Sequence, residues 1–322
     1  MKLRASRPGS VIGVSDPLCL LTVHAHPDDE SSKGAGSVAL YHGEGVHAVL
    51  VCCTGGEEGE VLNPALDTPE VHARIADLRR EELANAAAVI GYDEVVMLGY
   101  RDSGMAGAAS NANPDCFAQA PFDEAVERLV AIVRRTRPQV MVVYGDEQSG
   151  YPHPDHLRVH EIGVAAFRAA GIADRYPDAG AAWQPSKLYY TLFSVARFKE
   201  IHLKYEELGL ESPFDEAWRK RWEDSPAEPM TTSIDISDFA DVRRLALLAH
   251  ATQVDPKSPF WFGLPPEVMR SIHPFDDYRL ALIVGPDGEL VELPAERFAP
   301  DAGGSLETDL FAGVRDTSSV LR

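Results

Sequence analysis

Short apolar runs alternate with longer amphipathic stretches along the first half of the chain. The runs typical of buried strands are residues 18–23, 47–53, 94–98 and 140–144. Apolar residues at helical spacing fill the intervals, at residues 31–41, 69–90 and 122–136, and again from the segment around residue 153 to about residue 170. Strands that alternate with helices of this length indicate βαβ units. The pattern therefore predicts an α/β fold: a Rossmann-like, mostly parallel sheet with helices on both faces.

The pattern weakens beyond residue 171. Strands are expected near residues 188–193, 233–236 and 278–284, and helices near residues 197–208 and 240–252. We predict a Rossmann-like, metal-binding catalytic domain at residues 1–180. A smaller C-terminal α/β portion at residues 181–322 is expected to complete the substrate pocket. Because the signal is weak in this region, the position of the boundary near residue 180 is left open.

Two loops dense in histidine and carboxylate side chains follow the first and fourth predicted strands. The first reads His-Ala-His-Pro-Asp-Asp-Glu at residues 24–30, and the second reads Tyr-Pro-His-Pro-Asp-His at residues 151–156. In the common strand order 3-2-1-4-5, strands one and four are neighbours, and ligands bind beyond their carboxyl ends. We therefore expect the two loops to meet and to bind one divalent cation.

Imidazole nitrogen and carboxylate oxygen are zinc ligands, and a catalytic zinc keeps three protein ligands and one open position. We predict one Zn²⁺ per chain, with Fe²⁺ as the alternative cation, held by His26, Asp29 and His156. A water in the open position would have its pKa lowered to about 7. Asp28, beside the ligand Asp29, is then free to act as the general base for that water.

The remaining polar residues of the two loops have candidate roles and simpler alternatives. His153 and Tyr151 are candidates to protonate a leaving amine or to stabilise an oxyanion. Asp155 is a candidate to fix the tautomer of a histidine. Histidines near helix starts often only cap the helix, His24 can serve merely to orient His26, and His160 is a weaker ligand candidate by helical spacing. The other histidines are assigned to the surface or to packing: His42, His47, His72, His202, His250 and His273.

Two further loops should line the same edge of the sheet. Residues 54–60 follow the second strand and residues 99–104 follow the third. The first of these is rich in glycine, but it lacks the ending of a phosphate-binding P-loop and carries acids that would repel phosphate. Acids here suit the hydroxyls or amines of a sugar or aminosugar. Arg79 and Arg80 lie on the long predicted helix, where a solvated face is the simpler interpretation.

Composition narrows the choice of partners. The chain of 322 residues carries 30 Lys and Arg against 50 Asp and Glu, a net charge of −20. This argues against nucleic-acid and anionic-membrane partners, because both need a basic surface. The four cysteines form no C-x-x-C pair, so buried free thiols are expected rather than disulfides or a thiolate metal site. Since we expect neither a signal peptide nor a membrane span, we predict a cytoplasmic protein.

The two histidine loops together resemble a known family. The motif His26-Pro-Asp-Asp-Glu30, paired with His153-Pro-Asp-His156, is similar to the zinc-dependent de-N-acetylases of the LmbE-like (GlcNAc-phosphatidylinositol de-N-acetylase) family. The resemblance covers roughly residues 18–170 and extends toward the C-terminus. Several segments resemble the mycothiol S-conjugate amidase branch of that family, among them Glu30-Ser-Ser-Lys-Gly34, Gly150-Tyr-Pro-His-Pro-Asp-His156 and His250-Ala-Thr-Gln253.

The resemblance implies a role for each matching residue. It implies metal ligation by His26, Asp29 and His156, with Asp28 as the base. It implies that His153 acts as an acid or electrophile, and that Tyr151 contributes to the oxyanion site. It also implies a substrate contact by Lys33. Contacts with the glucosaminyl-inositol portion are implied for Glu60, Arg79 and Asp102.

The activity implied by the resemblance is zinc-dependent hydrolysis of the amide bond of mycothiol S-conjugates. The products would be an N-acetylcysteine S-conjugate (a mercapturic acid) and glucosaminyl-inositol, and the role would be detoxification. The alternatives are deacetylation of N-acetylglucosaminyl-inositol in mycothiol biosynthesis or of another N-acyl aminosugar. A non-catalytic, metal-dependent sugar-binding protein is the alternative outside enzymes. The expected partner is a small-molecule aminosugar-inositol thiol conjugate, and homo-oligomer formation is left open.

Some segments depart from the family pattern. Residues 145–150 differ from the sequence expected before the tyrosine of the second loop, residues 106–114 form an insert of small residues, and residues 200–230 match loosely. The resemblance therefore leaves the pocket for the acyl group or S-substituent undefined, although it specifies the metal centre.

Overall fold

One mixed sheet forms the centre of the molecule. The computed structural model describes residues 17–146, 151–224, 229–293 and 306–315. Its strands are β1 Cys19–His24, β2 His47–Thr54, β3 Glu94–Tyr100, β4 Val140–Tyr144, β5 Lys187–Leu192, β6 Thr232–Asp235, β7 Phe275–Val284 and β8 Leu290–Glu292. They are arranged in the order β3-β2-β1-β4-β5-β7-β6, with β8 paired to β7. The first five strands are parallel, as the order 3-2-1-4-5 predicted, and β6, β7 and β8 pair antiparallel.

The helices are α1 Asp29–Ser32, α2 Ala35–Gly43, α3 Pro69–His72, α4 Ile75–Ile90, α5 Phe122–Thr136, α6 Pro154–Ala170, α7 Val195–Glu207, α8 Glu216–Asp224, α9 Ala240–Ala249, α10 Pro259–Phe262 and α11 Pro266–Met269. Two helices predicted as continuous are interrupted. The helix expected at residues 31–41 breaks at Gly34, which has φ 88°, a conformation that glycine adopts readily. The helix expected at residues 69–90 breaks where Arg74 takes a φ of −123°.

Apolar layers cover both faces of the sheet. Leu21 of β1 packs on one face with Leu129 of α5 and Ile162 of α6. Its neighbour Leu20 points to the other face, into the cluster that contains Leu83 of α4. Successive side chains of a strand point to opposite faces, so a strand buried on both faces needs an unbroken apolar run. The predicted α/β architecture with helices on both faces is confirmed.

The C-terminal part of the chain extends the same sheet. Strand β7 pairs with β5 along the register from Lys187–Ile283 to Leu192–Asp277. Leu310 and Phe311, in the described segment at residues 306–315, are fully buried. The sheet thus contains strands from both sides of residue 180, and the boundary proposed there stays a prediction.

Two expectations from composition can be compared with the structure. Cys19, Cys52, Cys53 and Cys116 are all buried free thiols, as predicted. Within the described parts of the chain, no helix combines the length and the apolar character that crossing a bilayer requires. The N-terminal segment, on which the expectation of no signal peptide rests, lies at residues 1–16 and outside the described residues.

Candidate metal and catalytic site

The two histidine loops meet at the carboxyl edge of the sheet. Strands β1 and β4 are neighbours in register from Leu20–Val140 to Thr22–Val142, so the loops that follow them leave the sheet side by side. The first loop turns into α1, and the second opens α6. The rings of His26 and His156, one from each loop, lie with their centroids 5.4 Å apart. The predicted convergence of the two loops is present.

His26, Asp29 and His156 form a buried cluster whose ligand atoms lie within 4.8 Å of one another. Asp29 Oδ2 lies 3.3 Å from His26 Nδ1 and 3.3 Å from His156 Nε2. In a tetrahedral zinc site with bonds of about 2.0–2.1 Å, ligand atoms are separated by about 3.3 Å. The buried His156 Nε2 makes no well-aligned hydrogen bond with a described residue. The donor set and its spacing therefore fit a divalent cation.

Charged neighbours set the protonation of this cluster. Burial alone would raise the pKa of the Asp29 carboxyl, but the ammonium group of Lys33, which contacts Asp29 Oδ1, and the ring of His156 hold it well below its usual value. Burial would lower the pKa of His26, yet its hydrogen bonds with carboxylates raise it well above the usual value. Asp29 is therefore ionised, as a carboxylate that ligates a metal must be.

The second nitrogen of His26 faces two other carboxylates. His26 Nε2 lies 3.1 Å from Asp155 Oδ2 and 3.4 Å from Asp102 Oδ1. Asp155 is held in turn by the backbone N–H of Ser103 at 2.9 Å and by the Ser103 hydroxyl. A carboxylate that accepts from one ring nitrogen orients a metal-binding histidine and fixes its tautomer. Asp155 thus has the geometry for the orienting role considered from the sequence.

Asp28 sits at the mouth of the cluster in an unusual backbone conformation. Its φ is 112°, a region that non-glycine residues rarely occupy and that is concentrated at functional sites. Its backbone N–H donates to Glu30 Oε2 at 2.9 Å. Its side chain is 34% exposed and lies 3.3 Å from Arg79 Nη2. Partial burial raises the pKa of the Asp28 carboxyl, and the Arg79 guanidinium opposes the rise.

The solvated-face interpretation of Arg79 is wrong. Its side chain is buried and donates to the carbonyl oxygens of Pro27, at 2.7 Å, and Gly56. A Cβ at Gly56 would overlap the guanidinium, so a glycine is needed there. The neighbouring Arg80 is exposed, as expected of a solvated face. The buried Arg79 thus joins the first histidine loop to the loop after β2.

His153 and Tyr151 stand on the other side of the cluster. His153 Nδ1 accepts from the backbone N–H of Asp155 at 3.2 Å, so the residue caps α6, as the simpler alternative proposed. Its ring also lies 4.5 Å from that of His26. Burial lowers the pKa of His153 to about 4, and the nearby ring of His26 contributes to this lowering. The ring of Tyr151 is 52% exposed and stacks on His153, with centroids 5.9 Å apart.

The two remaining histidine candidates contact Tyr144 rather than the cluster. His24 Nδ1 lies 3.1 Å from the Tyr144 hydroxyl, and the Tyr144 ring in turn packs 4.8 Å from that of His156. His160 Nδ1 donates to the Tyr144 carbonyl oxygen at 3.0 Å. Neither histidine belongs to a His/Asp group with metal-ligand spacing among the described residues.

The residues implied to contact substrate take different positions. Lys33 bonds Asp29, and Asp102 is buried, its Oδ1 accepting from the Gly104 N–H at 2.8 Å. Arg79 is engaged with the first histidine loop. Glu60 is exposed on the loop after β2. The substrate contacts of these four residues stay predictions.

Sequence reasoning missed three supporting residues. Ser103 and Tyr144 lie at or just after the ends of β3 and β4, so the strand-end rule could have indicated both. His250 carried no such signal: it was assigned to packing, yet its Nε2 lies 2.7 Å from Glu30 Oε1, 220 positions away in the chain. Both side chains of this pair are completely buried.

Comparison with known proteins assigns the family. The model of the GlcNAc-PI de-N-acetylase family matches residues 21–167. A mycothiol S-conjugate amidase from Streptomyces coelicolor is 40% identical over 313 residues, covering 95% of this chain and 100% of that protein. This chain belongs to the GlcNAc-PI de-N-acetylase family. Another member, a 1D-myo-inositol 2-acetamido-2-deoxy-α-D-glucopyranoside deacetylase from Catenulispora acidiphila, is also 40% identical, over 93% of this chain and 98% of its own length.

Solved structures share the fold. N,N'-diacetylchitobiose deacetylase from Pyrococcus horikoshii aligns with a TM-score of 0.57 at 16% identity, covering 89% of this chain and 88% of its own. GalB, the 4-carboxy-2-hydroxymuconate hydratase of Pseudomonas putida, aligns with a TM-score of 0.53 at 20% identity, covering 86% of this chain and 99% of its own. At such identities the likeness shows the fold alone. Membership of the GlcNAc-PI de-N-acetylase family confirms the predicted resemblance and identifies the chain as a hydrolase of amide bonds.

Proposed function

We propose that the protein is a zinc-dependent amidase that hydrolyses the amide bond of mycothiol S-conjugates in detoxification. The observation that carries the hydrolytic part is the buried cluster of His26, Asp29 and His156, with the partly exposed carboxylate of Asp28 beside it. The choice of substrate rests on the Streptomyces coelicolor amidase, which matches over its whole length. We propose zinc as the cation because two histidines and one carboxylate beside an open position are a ligand set of catalytic zinc in hydrolases.

His26, Asp29 and His156 would hold the cation. When bound, a zinc ion supplies Lewis-acid activation of water and of the amide carbonyl. Asp28 accepts the proton of the attacking water, since its carboxylate is partly exposed and its position is fixed by Arg79 and by the contact with Glu30. The new bond joins the water oxygen to the amide carbon, and the carbon–nitrogen bond then breaks.

His153 has the geometry of an electrophile. Because its Nδ1 accepts a backbone N–H, the ring is neutral and its hydrogen is on Nε2. A neutral imidazole donating from Nε2 stabilises an oxyanion, and the Tyr151 hydroxyl is a candidate second donor. The proton that the leaving amine needs comes from Asp28, which has taken it from water. The products are an N-acetylcysteine S-conjugate and glucosaminyl-inositol.

Deacetylation of N-acetylglucosaminyl-inositol is the second candidate. The Catenulispora acidiphila deacetylase is as identical to this chain as the amidase is. Both reactions cleave an amide on the same aminosugar nitrogen, so the same centre would serve either one. They differ in the size of the acyl group that the site must accept.

Asp28→Asn tests the proposed chemistry. A purified protein loaded with zinc is expected to release free amine from a bimane-type mycothiol S-conjugate, and the variant should lower kcat by about 10²–10⁴-fold, the range for removing a general base. Zinc content and binding of the conjugate should be unchanged. The control is Asp77→Asn, an exposed residue of α4, which should retain full activity. Undiminished activity of Asp28→Asn would exclude it as the base, and a wild type that binds the conjugate without cleaving it would indicate a sugar-binding protein.

A further inference from the structure

Tyr144, the last residue of β4, touches both histidine loops. Strands β1 and β4 are parallel neighbours, and the offset of their register brings His24, at the end of β1, level with Tyr144. The Tyr144 side chain is buried, and the centroid of its ring lies 4.8 Å from that of the proposed ligand His156. Its hydroxyl accepts the backbone N–H of Ala25, in the first loop, at 3.2 Å. Tyr144 thus joins the two segments that carry the proposed ligands.

The Tyr144 hydroxyl also reaches a proposed ligand of the first loop. It hydrogen-bonds the side chain of Asp29, and its pKa is raised well above the usual value by burial and by the charge of Asp29. The hydroxyl therefore keeps its hydrogen, and because a carboxylate can only accept, Tyr144 is the donor to Asp29. The ammonium group of Lys33, which contacts the same carboxylate, stands 5.4 Å from the centroid of the Tyr144 ring, close enough for a cation–π attraction.

A third contact of the hydroxyl fixes the tautomer of His24. His24 Nδ1 lies 3.1 Å from the Tyr144 hydroxyl oxygen. A tyrosine hydroxyl has a single hydrogen to donate. Because that hydrogen is given to Asp29, His24 Nδ1 must carry a hydrogen and donate it to Tyr144. The hydrogen bonds therefore run in one direction, from His24 through Tyr144 to Asp29.

The other ring nitrogen of His24 is buried at a cost to stability. His24 is 1% exposed, and its Nε2 finds no hydrogen-bond partner among the described residues. A buried polar atom without a partner destabilises a fold, so an apolar side chain of similar size would serve packing better. The hydrogen bond from Nδ1 to Tyr144 is the contact that an apolar side chain could not make.

We infer that Tyr144 is a positioning residue of the metal site, whose ring orients His156 and whose hydroxyl, held by His24, orients Asp29. The inference rests on the proposed zinc-dependent function and deepens it, because it names the groups that hold two of the three ligands in place. A group that hydrogen-bonds a metal ligand fixes the orientation of that ligand and thereby raises metal affinity. Loss of the Tyr144 hydroxyl should therefore weaken the binding of zinc.

The test measures the dissociation constant for zinc of the purified full chain, by competition with a fluorescent chelator. Tyr144→Phe removes the hydroxyl and keeps the ring, and it should raise the dissociation constant by about 10–100-fold, the range for losing a partner of a metal ligand. The matched control is Tyr189→Phe, which removes another fully buried hydroxyl, 2.7 Å from the carboxylate of Glu307 in the C-terminal segment. The control should leave zinc affinity unchanged.

Variants of His24 test whether this residue acts through Tyr144. His24→Leu removes the donor and should also raise the dissociation constant, with little change in melting temperature, because the unpartnered nitrogen is removed with it. His24→Asn keeps an N–H donor near the position of Nδ1 and should bind zinc more tightly than His24→Leu. In a Tyr144→Phe background His24→Leu should weaken zinc binding no further, since its route to Asp29 is already lost.

A Tyr144→Phe protein that binds zinc as tightly as wild type would overturn the inference and leave the proposed function intact. If Tyr144→Phe does not fold, the two His24 variants decide, and equal zinc affinity in both would equally overturn the inference. Additive losses in the double variant would contradict the route through the hydroxyl. If wild type itself binds no zinc, the proposed function fails and the inference fails with it, an outcome recognised without any variant.

Discussion

The buried carboxylate of Glu30 connects three parts of the site. Its Oε2 accepts the backbone N–H of Asp28, and its Oε1 accepts the Ser31 hydroxyl at 2.6 Å and contacts His250 at 2.7 Å. Burial would raise the pKa of the Glu30 carboxyl, but His250 lowers it below its usual value. The pKa of His250 is raised correspondingly, despite its burial. The ion pair of Glu30 and His250 therefore supports the left-handed conformation of Asp28 and attaches the end of α9 to the first histidine loop.

His250→Asn is expected to lower the free energy of unfolding by about 3–5 kcal/mol, because it leaves the buried Glu30 charge without its partner. Urea unfolding measures the loss. The matched control is His72→Asn: His72 Nε2 also lies 2.7 Å from a carboxylate, that of Asp67, but its side chain is 54% exposed. An exposed pair contributes little, so the control should change stability by less than about 0.5 kcal/mol. Equal losses in the two variants would refute the role assigned to burial.

At this scale the sequence predicts what is local. The proposed ligands and base lie in two short motifs, and their residue types are those of metal sites. Residue type and spacing are therefore enough to identify them as candidates. The contacts of Arg79 and His250 depend instead on where α4 and α9 pack, which residue type does not indicate. A solvated face and a packing residue were the reasonable expectations for these two, and only the three-dimensional arrangement gives them their partners.

The elements owe their predictability to burial. The predicted bounds of β1 and β4 lie within one residue of the observed ones because both strands are largely apolar and buried along their whole length. The break before α2 was missed because a single glycine can sit inside a helical pattern. Here a Cβ at Gly34 would come 2.8 Å from the Tyr278 hydroxyl. Because Tyr278 belongs to β7, the sequence around Gly34 does not indicate this contact.

Gly163 tests how closely α6, which carries His156, must approach β4. A Cβ at Gly163 would lie 2.7 Å from Val143 Cγ1, so Gly163→Ala should force the helix outward and lower stability by about 1–3 kcal/mol. Gly43→Ala is the control, since its Cβ would meet only Phe239 at 3.7 Å; alanine there should be neutral or stabilising by up to about 1 kcal/mol. Thermal unfolding of both variants decides the matter, and a Gly163→Ala protein as stable as wild type would show that the approach is not required.

For the whole molecule, the order of the five parallel strands follows from the common α/β arrangement. The insertion of β7 between β5 and β6 does not, because antiparallel pairing of distant segments is decided by packing rather than by local pattern. This insertion brings the start of β7, with Asp277 opposite Leu192, to the carboxyl edge of the sheet, the edge at which the two histidine loops lie. That the C-terminal part completes the substrate pocket stays a prediction.

The pair of His273 and Asp277 makes the stability of the molecule depend on pH. Asp277, 2.6 Å from His273 Nε2, raises the pKa of His273 above its usual value, with help from Glu200 and against burial and Arg243. The contribution of protonated His273 to the free energy of unfolding is therefore complete below about pH 6.5, and it is lost as pH rises through the raised pKa of His273. The pKa of Asp277 is lowered by His273 against burial, so its contribution holds above about pH 4 and is lost on further acidification.

His273→Asn should therefore destabilise the protein most at weakly acidic pH. The expected loss is about 2 kcal/mol near pH 6, typical of a hydrogen bond to a charged group, and it should shrink toward pH 9. Asparagine is chosen because it tolerates the positive φ of 40° at this position. Urea unfolding of variant and wild type between pH 5 and pH 9 measures the difference. A difference that stays constant, or grows at alkaline pH, would contradict the proposed pairing.

The most direct test of the account is to titrate zinc into metal-free protein and measure the initial rate of cleavage of a mycothiol S-conjugate. If His26, Asp29 and His156 hold the single cation needed for hydrolysis, the rate should rise from near zero and saturate at one zinc per chain. The rate on N-acetylglucosaminyl-inositol, followed in parallel, should rise with the same stoichiometry to a lower value. Full activity without metal, or no cleavage of the conjugate at any zinc level, would contradict the account.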